Sequence, residues 1–246
     1  MDLDPEPAVV PQSPAQATLS VPMAIVAAGL LIAGAVFFSS GGDGTLVKAP
    51  AEDSIAAAAA PATAAALRPV DATDHILGNP AADVVVVEFS DPECPFCKRF
   101  HETMHQIMDE YGKSGKVAWV YRHFPLDQLH SKARNEANAF ECAGEQGKFW
   151  EYADRIFKIT PANDGLDPAE LTKSAELLGL DKSVFAACLS SDKYAARVQS
   201  DSEDGLAIGV AGTPFSILIT KDGKKIPING AQPYSMIKKT ISELLK

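Results

Sequence analysis

Two cysteines three positions apart, Cys94 and Cys97, stand in the stretch EFSDPECPFCKRFH, residues 88–101, directly after an apolar run. A pair at that spacing can clamp a metal, staple the chain, or cycle between dithiol and disulfide. With Cys94 at the mouth of a strand and Cys97 in the first helical turn, Cys94 sits beside unpaired backbone N–H groups and the positive end of the helix dipole. A thiolate is stabilised there, and a lowered thiol pKa makes a cysteine reactive. Lys98 and Arg99 would add positive potential if they point that way, and Pro95 suits a helix start because its missing N–H would have had no partner.

The other two chemistries fit less well. A zinc clamp needs four ligands, and no second C-x-x-C is present. Cys97, His101 and His105 do fall at i, i+4 and i+8, so a Cys2His2 cluster can be drawn on paper. The same face also carries Phe100 and Met104, and structural sites rarely use a bare helix in this way. His101 and His105 are read as solvated helix positions, and no metal or other cofactor is expected. An inert staple is weakened by the spacing, because so short a loop gains little entropy from closure. Glu88, six residues before Cys94, has two readings: a solvent-edge strand residue, or a buried acid of raised pKa that relays a proton for Cys97.

The elements that must hold these residues can be read from pattern. DVVVVEFS, residues 83–90, is a β-branched run that reads as a buried central strand. Residues 97–111 space Phe100, Met104, Ile107 and Met108 for one apolar helical face. KVAWVYRHF, residues 116–124, is a second strand that stops at Pro125. Residues 128–204 hold helical segments only, with breaks at Pro161, Asp164-Gly165 and Leu180-Asp181. FSILIT and KIPING flank Asp222-Gly223 as a hairpin, and a helix over 233–245 closes the chain. The order predicts an α/β layout in which a parallel βαβ unit meets an antiparallel hairpin, with a block of helices inserted between them.

Residues 21–38, VPMAIVAAGLLIAGAVFF, carry no charge over 18 positions, near the lower limit for a membrane-spanning helix. The 20 residues before them contain Asp2, Asp4 and Glu6 but no Lys or Arg, which argues for an uncleaved anchor over a signal peptide. Residues 39–69, rich in Ala, Gly, Pro and Ser, read as a tether, and the folded domain is expected from Val70 to Lys246. A net charge of −10, without any long basic run, excludes nucleic acid as a partner.

The motifs VVVVEFSDPECPFCKRFH, RHFPLDQLH, ECAGEQGKFWEY and GVAGTPFSIL, in that order, resemble the DsbA-like thiol-disulfide oxidoreductases over about residues 70–246. The resemblance implies a thioredoxin-like fold with a helical insertion. It implies Cys94 as exposed nucleophile, Cys97 as buried partner, Glu88 as buried acid, and Thr213-Pro214 as a cis-proline loop facing the cysteines. It also implies a quinone-linked membrane partner for reoxidation and unfolded or exported cysteine-containing proteins as substrates.

One departure bears on strength. The strong oxidants of that family have histidine before the second cysteine, and here Phe96 stands there, able to offer an apolar rim to substrate but no charge to the thiolate. Cys142 and Cys188, 46 positions apart, would be buried thiols in a cytosolic protein; in an exported domain they are expected to form a disulfide contributing roughly 4 kcal/mol. The expectation is a membrane-tethered enzyme whose domain faces an oxidising envelope compartment. Its rivals are a reductase or isomerase using the same residues, and a non-catalytic module that holds extended chains.

Overall fold

A computed structural model describes residues 64–246. The anchor read at 21–38, the tail before it and most of the tether lie outside the described residues, among which no helix is long and apolar enough to cross a membrane. The folded domain begins before Val70, earlier than composition suggests. Leu67 is buried beside Val87, Phe89 and Val120, and the Arg68 backbone N–H donates to Asp204 Oδ1. One apolar and one cationic side chain give this stretch something to bury and to pair.

Five strands form one sheet: β1 (His75–Gly78), β2 (Val84–Ser90), β3 (Val117–His123), β4 (Phe215–Thr220) and β5 (Lys225–Asn229), in the spatial order β1-β3-β2-β4-β5. β2 is central, parallel to β3 and antiparallel to β4, as its near-continuous apolar run requires of a strand covered on both faces. The short edge strand β1 escapes the sequence reading because HILG is too brief and too mixed to show a period.

Helix α1 (Pro95–Ile107) leaves the end of β2 and continues into a π-helical turn, Met108–Gly112. Its buried Phe100, Met104 and Ile107 lie on one sheet face with Val84, Val86, Trp119 and Leu218, together with Ile237 and Ile241 of the closing helix α7 (Tyr234–Leu244). The opposite sheet face contributes Val87, Phe89, Val120 and Ile217, packed with Ile208 and Val210.

Between β3 and β4 run α2 (Ala133–Glu145), α3 (Phe149–Ile159), α4 (Ala169–Leu177), α5 (Lys182–Ser190) and α6 (Ala195–Ala207). Gly205, inside α6, lets that helix lie close to the sheet: a Cβ there would stand 2.6 Å from the Phe124 ring and 3.0 Å from Phe89. Buried Arg122 of β3 locks the same region, donating to both oxygens of Asp74 at 3.0 Å and to Asp204 of α6 at 2.6 Å. Charges at 0–8 % side-chain exposure persist only when paired in this way.

Candidate redox site

Cys94 occupies the N-cap of α1 with extended backbone (φ −77°, ψ 121°), and Pro95 follows in the first turn. Among the described residues no side-chain hydrogen bond caps this helix, so the cysteine sulfur meets the positive helix end directly. Both cysteines are free thiols here. The Cys94 thiol is held down to about 6, first by hydrogen bonding with the Cys97 side chain and then by the backbone N–H groups of Cys97 and Phe96, against the opposing effect of burial. Burial drives Cys97 the other way, well above the usual thiol range, and the charges of Cys94 and Glu88 add to that. The two thiols are therefore strongly unequal.

The exposed nucleophile implied by the resemblance is, in this structure, covered: Cys94 is 3 % exposed. The Thr213 carbonyl lies 3.4 Å from Cys94 Sγ, and the Thr213-Pro214 bond is cis with Pro214 buried. Phe96, by contrast, is 52 % exposed.

Glu88 is fully buried in β2, which rules out the solvent-edge reading. Trp119 Nε1 donates to its Oε2 at 2.8 Å, while Oε1 has no hydrogen-bond partner among the described residues. Burial raises this carboxyl to about 7, which lets it gain and lose a proton near neutral pH.

Asp91 and His130 were not singled out from the sequence, although both fall inside the motifs quoted there. The Asp91 backbone N–H donates to Cys97 Sγ at 3.4 Å, and its carboxylate accepts from Glu93 N–H, Leu126 N–H and His130 Nδ1. Burial opposes a charge on His130, but the Asp91 carboxylate prevails and its pKa is raised, with the Cys94 thiolate adding to the effect. A histidine is thus electrostatically coupled to Cys94 although position 96 holds phenylalanine. An aspartate placed immediately after a central strand is the one sequence signal for this pair.

Cys142 of α2 and Cys188 of α5 are joined in a disulfide, with Cα atoms 5.8 Å apart. His101, read as solvated, is instead 4 % exposed, because the helix face it shares turns toward Trp119 and Phe157. His105 is half-buried beside it.

A C-x-x-C pair at the start of the helix after the central strand, opposite a cis-proline loop and above a buried acid, defines a thiol-disulfide oxidoreductase of thioredoxin-like fold. The chain belongs to the thioredoxin family, whose model, described as "Thioredoxin", matches residues 71–243. BdbD from Bacillus subtilis superposes with a TM-score of 0.61 at 25 % identity, over 70 % of this chain and 92 % of that one. Wolbachia pipientis alpha-DsbA1 gives 0.63 at 22 % identity, over 74 % and 94 %, a likeness of fold. Among curated proteins, the Na(+)/H(+) antiporter NhaA 1 of Mycolicibacterium gilvum is 35 % identical over 151 residues, 60 % of this chain and 24 % of that protein. The chain spans about a quarter of the length of the curated relatives it matches.

Proposed function

We propose that this protein oxidises thiols of exported or unfolded proteins while anchored to a membrane by residues 21–38, its domain facing an oxidising compartment of the cell envelope. The observation that carries the direction is the inequality of the two thiols. Cys94, with a pKa of about 6, is mostly thiolate at neutral pH, so the reduced form is stabilised and the disulfide is the reactive partner.

In that reaction a substrate thiolate attacks Cys94 Sγ of the Cys94–Cys97 disulfide, and the S–S bond breaks toward Cys97. Cys97 leaves as a buried, unfavourable thiolate and takes a proton from Glu88, whose pKa of about 7 suits the transfer. A second substrate thiolate then attacks the substrate sulfur of the mixed disulfide and expels Cys94 as a stabilised thiolate. Two electrons pass from substrate to enzyme, and a membrane partner that delivers them to a quinone restores the disulfide. The Thr213-Pro214 loop holds the substrate backbone as an added strand, which makes recognition loose in side chain.

The antiporter names of the curated relatives belong to those proteins; for this chain they support a membrane setting only. The charge-neutral Phe96 favours the second reading, a reductase or isomerase with Cys94 as attacking thiolate. The equilibrium reduction potential of the full chain against glutathione decides between them. A value near about −120 mV fits an oxidase, and one near about −270 mV overturns it in favour of a reductant.

A further inference from the structure

The redox chemistry leaves unused a second cluster on the same helix. One turn beyond Cys97, His101 and His105 of α1 meet Asp154 of α3, with each Nε2 2.7 Å from Asp154 Oδ1 and the two nitrogens 3.2 Å apart. This is the one group of three or more His, Cys, Asp or Glu ligand atoms among the described residues that converges within 4.8 Å, and Cys97 is not part of it. The cluster borders an open cavity of about 510 Å³, also lined by Lys98, Glu102, Phe157 and Lys158.

We infer that His101 Nε2, His105 Nε2 and Asp154 Oδ1 form a binding site for a divalent cation of the zinc class, bridging the active-site helix to the inserted helices. Three features carry this. First, His101-Glu102-Thr103-Met104-His105 has the His-Glu-x-x-His form, a spacing that sets two imidazoles on one helical face for zinc. Such a short pattern gains meaning only from a third ligand, which the fold supplies 49 residues after His105.

Second, the distances suit the ion. Bonds of about 2.0–2.2 Å at a tetrahedral centre place ligand atoms roughly 3.3 Å apart. The His–His separation of 3.2 Å is already there, and Asp154 has to withdraw by about half an ångström, which a side chain at 45 % exposure can do. Third, the imidazoles are held by packing. His101 lies against Phe157 and Trp119, with ring centroids 4.5 and 5.0 Å away, and His105 lies edge-on to Trp119 at 5.5 Å. Rings fixed in this way lose little freedom on binding an ion.

Nitrogen ligands and a single carboxylate select zinc, cobalt, nickel or copper over calcium and magnesium. The cavity leaves the fourth position to water. The two lysines at its border do not fill the site: Lys98 Nζ donates to the Thr160 carbonyl at 2.6 Å, and Lys158 is exposed.

The test uses the full chain, stripped with chelator and with Cys94 and Cys97 oxidised, so that neither thiolate can bind metal. Zinc chloride is titrated against a chromophoric competitor, and Co(II) absorption reports the ligand set. One zinc per chain is expected, with Co(II) bands lacking thiolate charge transfer and a higher melting temperature with zinc. His105→Gln and Asp154→Asn, both at partly exposed positions, should each weaken binding at least tenfold and abolish the zinc-dependent rise in melting temperature while leaving the circular dichroism unchanged. Absence of stoichiometric zinc binding to the oxidised wild type, or equal binding by both variants, overturns the site. Neither result bears on the redox function, since the cysteines are blocked throughout.

Discussion

The domain holds two cysteine pairs with opposite fates. Cys142 and Cys188 are bonded, while Cys94 and Cys97 are free thiols, yet all four belong to one apolar cluster with Phe140, Tyr152 and Phe185. Burial therefore does not distinguish the reactive pair from the inert one. The backbone does. Cys94 stands at a helix N-terminus, where the backbone N–H groups have no intrahelical partner and turn to its sulfur, with an acid of raised pKa buried nearby, whereas Cys142 and Cys188 lie inside α2 and α5, where the backbone N–H groups are already paired. The second pair closes a loop of 46 residues, and the first closes almost none, so one contributes stability and the other chemistry.

That contrast can be broken in order of expected effect. Cys94→Ser should remove thiol-disulfide exchange entirely and leave the melting temperature nearly unchanged; retained turnover in an insulin-reduction or peptide-oxidation assay would contradict the assignment. Cys142→Ala with Cys188→Ala should do the reverse, lowering unfolding free energy by about 4 kcal/mol in denaturant titrations while exchange persists in the folded fraction.

Glu88→Gln should slow exchange by about 10²-fold, the lower range for a lost general acid, as stopped-flow fluorescence would record. It should also change the pH dependence of stability. The Glu88 carboxyl titrates near 4.5 when unfolded and about 7 when folded, so between those values the folded chain holds the extra proton. Its contribution to stability is full below 4.5 and is lost as pH rises toward 7, and the glutamine variant should lack that decline. A reduced protein whose pH profile matches that of the variant would show that Glu88 is not the titrating group.

The smallest effect is expected at position 96. Phe96→His would add a cationic partner for the Cys94 thiolate and should raise the reduction potential by about 30 mV, equivalent to roughly 1.4 kcal/mol for two electrons. An unchanged potential would mean that the His130–Asp91 pair already supplies the electrostatic help that position 96 could give.

Much of this was legible in the residues themselves. VVVVEFS announces a central strand because a strand covered on both faces needs no alternation, and Asp222-Gly223 announces a hairpin because Gly223 adopts φ 84° at no steric cost. The C-x-x-C spacing after that strand favours a redox pair over a clamp or a staple, and the motifs around it carry the family resemblance. Other features had no local signal. β1 acquires its identity only by pairing with β3, and Leu67 joins the core only because β2 and β3 offer it a face. Glu88 could be exposed or buried until Trp119, 31 positions away, was set beside it.

What the sequence determined by itself is the class of chemistry and the order of the elements from β2 onward, since both depend on neighbours within a few positions: period, turn residues and cysteine spacing. Only the tertiary structure decided which charges are stable and where. The inequality of Cys94 and Cys97, the protonation range of Glu88, the His130–Asp91 pair and the meeting of His101 and His105 with Asp154 all arise from groups far apart in sequence brought within a few ångströms under low dielectric. There desolvation and a single hydrogen bond outweigh any intrinsic preference.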